Sequence, residues 1–375
     1  MTRAPKLTVL HLVANRWWTG SADPVIQLLS GLSGRGHRVL LGLIRGDRFE
    51  AKARQAGIEP LAGLSLEVRF HPGRVGGDVR RLRALVRTEV VDVVHTHHSH
   101  DHWLGAAARG RAVLLRTFHN RRAVRSDWPS AWLYRRTDVL VAVSREIEDR
   151  CRALGLRGPV HRTAGVVDVE RFAGPVDGVA VRAGLGAGAG PLVGCVARLA
   201  AGRGHELLIR GFALLTAEWP SAQLVLVGKG EARAQIAGLV GDLGLGGRVI
   251  LAGYRDGDLP DVVGALDVFV LLQAGSDESC RAALEAMAAG CPVVAGRVAG
   301  LADSVIHGTT GLLLDGGEPG DVAAALRTLL ADSPAARAMG AAGRARARER
   351  FGPERHAADM EAVYLEAIAR RGRTS

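Results

Sequence analysis

Short apolar runs alternate with amphipathic segments along nearly the whole chain, and this alternation constrains the fold more than any other feature. In the first half, apolar runs at residues 7–14, 38–44 and 113–118 are separated by stretches whose apolar residues recur at helical spacing. Strands that alternate with helices at this pitch build parallel, doubly wound sheets. We therefore predict an α/β protein with doubly wound parallel sheets.

The alternation occurs twice, which predicts two domains. A second series begins with the apolar run at residues 192–196, after a Gly-rich and weakly patterned stretch. A chain of 375 residues is long enough for two cores of ordinary size. We predict an N-terminal domain at residues 1–173, a linker at 174–190, a C-terminal domain at 191–350 and a final helical segment at 351–375.

Positive charge is concentrated in the first half of the chain. Residues 1–172 contain 29 Lys and Arg against 16 Asp and Glu, whereas residues 173–375 contain 20 against 22. A basic half favours an anionic partner such as a membrane surface or a phosphorylated lipid. Nucleic acid is not predicted, because no zinc-finger, stacking-aromatic or helix-turn-helix pattern accompanies the charge. The arginines of one predicted helix, residues 78–88, form either a membrane-contacting face or an ordinary solvated face.

Cysteine usage and hydropathy favour a cytoplasmic protein. The four cysteines are scattered and form no CxxC pair, so neither a disulfide framework nor a thiolate metal site is predicted. The sequence contains no apolar run of the roughly 18 residues that a membrane span needs. The apolar run near the N-terminus is followed by polar and bulky residues, so we interpret it as a buried strand and not as a signal peptide.

Residues 271–295 carry the strongest functional signal. They are interpreted as a strand, a polar loop, an Ala-rich helix at 281–289 and a second strand. Ligands of such sheets bind at the carboxyl ends of strands, beside helix N-termini that attract anions. Asp277 could accept hydrogen bonds from sugar hydroxyls, or it could merely complement the helix terminus, which is worth about 0.3–1 kcal/mol. Glu285 lies two helical turns further on, predicted on nearly the same face, and could reach a ribose.

Two arginines flank a predicted turn between a strand and a helix of the second series. Arg198 and Arg203 are five positions apart within VARLAAGRGHELLI. Such a pair could clamp a diphosphate and stabilise the charge that develops on it as it leaves. The alternative, ordinary surface charge, fits less well, because apolar residues on both sides place the pair at the carboxyl end of a strand.

Two strand ends of the first series also carry candidate residues. Gly20 and Ser21 open a predicted helix, where backbone N–H groups could approach a phosphate; the alternative is an ordinary turn with Asp23 as its N-cap. His119 ends another strand and could bind or polarise a substrate, or simply cap a neighbouring loop. The His-rich run at residues 95–102 lacks the helix or hairpin spacing of zinc sites, so no metal is predicted there.

Taken in order, these stretches resemble glycosyltransferase family 4, a family of retaining, nucleotide-sugar-dependent enzymes with the GT-B fold. The Gly20–Asp23 loop looks like the family's Gly-Gly-Ala-Glu loop, and VARLAAGRG is similar to its Gly-Arg-Leu-x-x-x-Lys-Gly motif. Asp277 and Glu285 match its E-x7-E motif, which the block EAMAAGCPVVA follows. GVVDVERF resembles a further landmark, with Ala164 where Asn is usual. This chain departs from the pattern at Ser21, Arg203 and Asp277.

The resemblance implies two Rossmann-like domains that face each other across a cleft, with a C-terminal helix that crosses back to the N-domain. It implies that Arg198 and Arg203 hold the diphosphate, that Asp277 and His119 act at the donor sugar, and that no metal or cofactor is required. Those four residues are the predicted catalytic group. The predicted donor-binding group is Gly20, Ser21, Arg198, Arg203, Asp277, Glu278, Ser279, Cys280 and Glu285.

The implied function is transfer of a hexose-type sugar from a nucleoside diphosphate-sugar to an alcohol acceptor. The basic N-domain favours an acceptor that is a saccharide, a lipid-linked saccharide or another precursor of a cell-envelope glycan, with peripheral contact to an anionic inner membrane face. Two alternatives stay open at this point: a GT-B-fold nucleotide-sugar epimerase, which would consume donor without an acceptor, and a non-catalytic nucleotide-sugar binder.

Overall fold

The computed structural model describes residues 5–15, 21–67, 71–155 and 158–374, and it divides the chain into two compact units. The first unit contains the described residues up to Ala164, residues 276–278, and those from Pro353 onward. The second unit contains residues 165–275 and 279–352. The chain therefore contributes three separate segments to the first unit and two to the second.

Each unit is built on a sheet whose described strands are all parallel. The strands of the first sheet are β1 (Thr8–Val13), β2 (Arg38–Leu43), β3 (Val93–Thr96), β4 (Val113–Phe118), β5 (Val139–Ala142) and β6 (Val160–Arg162). Those of the second are β7 (Leu192–Val196), β8 (Gln223–Val227), β9 (Val249–Gly253), β10 (Val268–Leu271), β11 (Val293–Gly296) and β12 (Gly311–Leu314). Among the described residues the orders are β2-β1-β3-β4-β5-β6 and β12-β11-β10-β7-β8-β9. The predicted α/β class with two Rossmann-like sheets is confirmed.

Helices connect the strands, as parallel sheets require. Up to residue 172 they are α1 (Ala22–Gly34), α2 (Arg48–Gln55), α3 (Pro72–Thr88), α4 (Ser99–Ala108), α5 (Trp128–Tyr134), α6 (Arg145–Ala153) and α7 (Val169–Phe172). They continue as α8 (Gly178–Leu185), α9 (His205–Ala213), α10 (Arg233–Asp242), α11 (Leu259–Gly264), α12 (Arg281–Ala289) and α13 (Ala299–Ser304). The last three are α14 (Pro319–Ala331), α15 (Ser333–Arg350) and α16 (Pro353–Thr374).

The first sheet is covered on both faces, which explains why its inner strands β1, β3, β4 and β5 are almost uniformly buried. On one face Val9 and Val93 pack with Leu32 of α1 and with Met360 and Tyr364 of α16. The opposite face packs against apolar residues of α3 and α4. The C-terminal helix is thus part of the first unit's core.

The second sheet is equally apolar, and α12 is its most deeply buried helix. Seven consecutive residues of α12, from Ala283 to Ala289, are buried. The small side chains of this Ala-rich helix allow it to pack closely against α7, α11 and α15. Gly290, with φ of +77°, ends α12 in the left-handed conformation that glycine adopts most readily.

The stretch predicted as an irregular linker, residues 174–190, contains a helix. Asp177 caps α8 by accepting a hydrogen bond from the Ala180 N–H at 3.1 Å, and Gly186 ends it at φ +73°. These two caps stabilise a short helix that its Gly-rich composition conceals. The second unit also begins at Gly165, earlier than the predicted boundary at 173, because α7 packs against α12.

Two sequence-based expectations concern membranes and thiols. Across the described helices, none combines the length and the apolar composition that a membrane span requires. The four cysteines, Cys151, Cys195, Cys280 and Cys291, are all buried, and none of them forms a disulfide.

Candidate functional site

The carboxyl end of β4 and the loop that follows β10 form one part of the site, within the first unit. His119 follows β4 directly, and residues 276–278 belong to the same unit. His119 Nδ1 lies 3.5 Å from Asp277 Oδ2, and both side chains are buried. The backbone N–H of Glu278 donates to the His119 carbonyl at 2.7 Å. The structure therefore brings together three of the predicted site residues.

Glu278 serves mainly to hold this loop. Its Oε1 accepts a hydrogen bond from the backbone N–H of Arg121 at 2.9 Å. Burial raises the pKa of the Glu278 carboxyl, and the hydrogen bond from Arg121 opposes that shift. Asn120 Nδ2 adds a bond of 3.3 Å to the Ser276 carbonyl. These contacts fix Asp277 beside His119 through the backbone on either side.

Behind His119 lies a chain of buried imidazoles. His119 Nε2 is 3.2 Å from His97 Nδ1, and His97 Nε2 is 3.1 Å from His11 Nδ1. We call His119, His97 and His11 the imidazole chain. Burial, reinforced by neighbouring rings, holds the pKa of His97 well below its usual range and lowers the pKa of His11 to about 3. His97 and His11 are therefore neutral at physiological pH.

A fourth histidine, His95, lies beside the imidazole chain but has its own hydrogen-bond partners. Its Nδ1 is 2.8 Å from the Tyr364 hydroxyl, and its Nε2 is 2.7 Å from Thr117 Oγ1. Among the described residues, the nitrogens of His11, His95 and His97 come within 4.8 Å of one another, a grouping that could hold a metal ion. Hydrogen bonds within the protein engage both nitrogens of His95 and both of His97, so the geometry favours a hydrogen-bonded cluster over a metal centre.

A buried ion pair supports the backbone under these rings. Asp101 of α4 accepts hydrogen bonds from the N–H groups of Ala14, His97 and His98 at 2.7, 3.1 and 2.8 Å. Arg116 Nη1 lies 3.5 Å from the same carboxylate, and burial lowers the pKa of the guanidinium to about 10. One carboxylate thus ties together the ends of β1 and β3 and neutralises a buried cation of β4.

The two predicted diphosphate-binding arginines lie in the second unit, after β7, and have different surroundings. Arg198 is exposed and pairs with Glu231, with Nη2 and Oε2 2.9 Å apart. An ion pair this exposed to solvent contributes little to stability, so Arg198 can exchange Glu231 for another anion. Arg203 is half-buried, and its Nη1 donates to the Ala274 carbonyl at 2.6 Å. It is therefore held against the residues that follow β10 in the second unit.

The start of α12 carries backbone strain. Cys280, its N-cap, has φ of +56° and ψ of +48°, a left-handed conformation that costs a non-Gly residue about 1–2 kcal/mol. The expectation that Asp277 and Glu285 share a helix face is wrong, because this left-handed residue separates the Asp277 loop from the helix. Glu285 is buried within α12, and Arg281 Nε lies 3.2 Å from its Oε1. Ser279 is also buried, beside Gly165.

The predicted phosphate loop is described only from Ser21 onward, and Gly20 lies outside the described residues. Ser21 is the N-cap of α1 and is buried, so Asp23 belongs to the first helical turn and is not the N-cap. An acid in the first turn still complements the helix dipole.

Sequence reasoning did not assign two groups of residues to the site. His11 and His97 fall on the same sheet face as His95 and His119, because side chains alternate along a strand and neighbouring parallel strands are in register. The spacing of two between His95 and His97, and between Thr117 and His119, carries that signal. The second group is the Gly-Lys-Gly loop after β8: at Gly228, φ is +153° and a Cβ would lie 1.9 Å from the Ala197 carbonyl oxygen, so only glycine fits beside Arg198.

Comparisons with known proteins indicate the family. A family model described as Glycosyltransferase Family 4 matches residues 19–171, and one described as glycosyl transferases group 1 matches residues 182–346. A GDP-mannose-dependent alpha-(1-6)-phosphatidylinositol monomannoside mannosyltransferase of Mycobacterium tuberculosis is 31% identical over 327 residues, or 80% of this chain and 81% of the relative. The enzyme of the same name from Mycolicibacterium smegmatis is 33% identical over 216 residues, or 55% of this chain and 56% of the relative.

A solved structure extends the comparison to the fold. Anabaena HepE, in complex with UDP and glucose, superposes with a TM-score of 0.81 at 22% identity, covering 95% of this chain and 99% of that one. Two Rossmann-like units with cations and carboxylates at the carboxyl ends of their strands define a glycosyltransferase of the GT-B fold. The match to the M. tuberculosis relative spans most of both chains. The chain belongs to glycosyltransferase family 4.

Proposed function

We propose that this protein is a retaining, metal-independent glycosyltransferase. It moves a hexose-type sugar from a nucleoside diphosphate-sugar to an alcohol acceptor, a lipid-linked saccharide or another precursor of an envelope glycan. The relatives named as mannosyltransferases of a phosphatidylinositol glycolipid support this acceptor class. The observation that carries the proposal is the half-buried Arg203, held against the Ala274 carbonyl next to the loop that carries Asp277.

In this proposal the two arginines act on the leaving group. Arg198, released from its weak surface pair with Glu231, and Arg203 bind the diphosphate and stabilise the charge that grows on it. The bond from the anomeric carbon to the diphosphate breaks, and the acceptor oxygen bonds to the same face of the sugar. The departing phosphate oxygen takes the acceptor's proton. Because the guanidinium groups supply the positive charge, no divalent cation is needed for this role.

The remaining site residues bind the donor. Glu285, a buried carboxylate next to Arg281, accepts hydrogen bonds from the ribose hydroxyls. Asp277 and His119, 3.5 Å apart, bind the sugar. The Cys280 conformation and the Glu278 contacts, which fix the loop around Asp277, support this role. Gly20 and Ser21 approach the phosphates through backbone N–H groups.

The test measures acceptor-dependent release of nucleoside diphosphate from a panel of UDP-, GDP-, ADP- and dTDP-sugars. We expect Arg198→Ala and Arg203→Ala to lower kcat by about 10²–10³-fold, the loss seen when one charge-stabilising donor is removed. Arg327→Ala is the matched control, because Arg327 is also surface-paired, with Glu218 at 2.6 Å, and should behave as wild type. Wild-type rates in both site variants would refute the assignment.

Further readouts separate the alternatives. Product NMR should show the donor's anomeric configuration retained, and a chelator should leave the rate unchanged; an inverted product or loss of activity with the chelator would overturn those parts of the proposal. Donor consumption without acceptor would identify an epimerase. Nucleotide binding by calorimetry without any turnover would identify a binder.

A further inference from the structure

The imidazole chain has a proton-bonding pattern that constrains His119. A neutral imidazole carries one N–H donor and one lone-pair acceptor. Each of the two N···N contacts, at 3.2 and 3.1 Å, therefore holds one proton, and all donors must point the same way along the chain. The tautomers of the three rings are coupled, so the position of the N–H group on His119 determines its position on His97 and His11.

Asp277 determines which nitrogen of His119 carries the proton. His119 Nδ1 and Asp277 Oδ2 lie 3.5 Å apart without a hydrogen bond between them, but the negative charge of the carboxylate favours an N–H over a lone pair on the nitrogen that faces it. His119 Nε2 is then an acceptor, which requires His97 Nδ1 to donate to it. His97 Nε2 in turn accepts from His11 Nδ1. This order leaves a lone pair, and not an N–H group, at His11 Nε2.

The far end of the chain favours the same order. His11 is completely buried, and no acceptor or donor among the described residues is within hydrogen-bond distance of its Nε2. Reversing the order would bury an N–H at this position and turn the lone pair of His119 Nδ1 towards the carboxylate, whereas in the favoured order the N–H at the end of the imidazole chain faces Asp277. Burial lowers the pKa of His97 and of His11, so neither ring takes up a second proton, and each keeps one donor and one acceptor.

The backbone holds the chain in place. His11 and His95 are paired in register on β1 and β3, and Asp101 bonds the N–H of His97. His95 is fixed in turn by Tyr364 of α16 and Thr117 of β4. The rings therefore have little freedom to rotate out of the chain.

We propose that His97 and His11 are positioning residues that hold His119 as the neutral Nδ1–H tautomer. His119 then presents a hydrogen-bond donor, and not a basic lone pair, on its Asp277 side. This inference rests on the proposed function for its consequence: His119 acts as a neutral donor to an oxygen of the donor sugar or acceptor and does not act as a general base.

The decisive measurement is the tautomer of His119 in the full-length protein, read from ¹⁵N chemical shifts after histidine labelling. The His119→Gln variant identifies the signal. We expect Nδ1–H in wild type. His97→Leu should shift His119 towards the Nε2–H form, whereas His97→Asn, whose amide can donate from nearly the same position as Nδ1, should keep Nδ1–H. An Nε2–H or doubly protonated His119 in wild type at pH 7 would overturn the proposal.

Kinetics add a second readout. His97→Leu should lower kcat by about 10–100-fold, the usual cost of losing an orienting partner, with little change in KM for the donor. His97→Asn should restore most of kcat. His102→Leu controls for general destabilisation. It removes another buried histidine, which hydrogen-bonds Thr137 and is not part of the imidazole chain. A His97→Leu variant with normal kcat would contradict the proposal. An inactive wild type would refute the proposed function and leave the tautomer measurement valid.

Discussion

At the scale of single residues, the first unit contains four buried histidines that are neutral at physiological pH. His11, His95, His97 and His102 are all buried within or beside the sheet, and burial lowers the pKa of each. In the unfolded chain each imidazole regains its ordinary pKa of 6.5. The unfolded state therefore binds more protons than the folded state as the pH falls below that value.

This difference predicts acid destabilisation. Stability is fully present above pH 6.5 and is lost as the pH falls from 6.5 towards the lowered pKa of about 3 for His11. Glu50, whose pKa is lowered from 4.5 to about 2, adds its own loss only below pH 4.5. Urea midpoints should thus fall steadily between pH 7 and pH 5. A midpoint that is constant over this range would contradict the interpretation. His71→Asn, at an exposed histidine, should show the wild-type slope.

At the scale of elements, the strand–loop–helix between β10 and α12 shows what sequence can and cannot predict. The bounds of α12, Arg281–Ala289, follow from its Ala-rich run and from Gly290. The position of Asp277 does not follow, because it depends on the left-handed Cys280 and on backbone bonds to His119 and Arg121, far away in sequence. Local patterns predict elements, whereas contacts between distant strand ends position the site.

The strain at Cys280 is testable. Cys280→Gly removes the Cβ that disfavours φ of +56°, whereas Cys280→Ala retains it. After the entropic cost of glycine, we expect the Gly variant to be about 1 kcal/mol more stable than the Ala variant in urea unfolding. Ala283→Gly, within the same helix, is the matched control and should be destabilising by about 1 kcal/mol. Equal stability of the two Cys280 variants would show that this backbone conformation is not strained.

At the scale of the whole molecule, the charge is asymmetric. The excess of Lys and Arg lies in residues 1–172, and the arginines of α3 are exposed. Arg81 and Arg83 donate to the carbonyls of Gly63 and Ala107, which gives part of this face a structural role. Fold class and charge balance were predictable from composition and alternation. The return of α16 to the first unit was implied by the family resemblance, whereas the Gly-rich composition of α8 concealed that helix. The place of residues 276–278 in the first unit was not predictable, because it depends on contacts with residues distant in sequence.

We propose that the basic half contacts an anionic membrane surface. Vesicles with anionic lipid should sediment more protein than neutral vesicles, with the difference reduced by salt. Arg80→Glu combined with Arg87→Glu on α3 should weaken this binding, whereas Arg210→Glu, exposed on α9, should not. Equal sedimentation with both kinds of vesicle would refute the membrane contact.

The contribution of α16 to the first unit has a consequence for how the protein is made. One face of the first sheet is covered by Met360 and Tyr364, which the ribosome adds more than 180 residues after β6. During synthesis that face stays exposed, and the hydrogen bond that Tyr364 makes with His95 cannot form. The second unit can complete its core before the first unit does, although most of its sequence is translated later. The domain that begins the chain is therefore the last to complete its core.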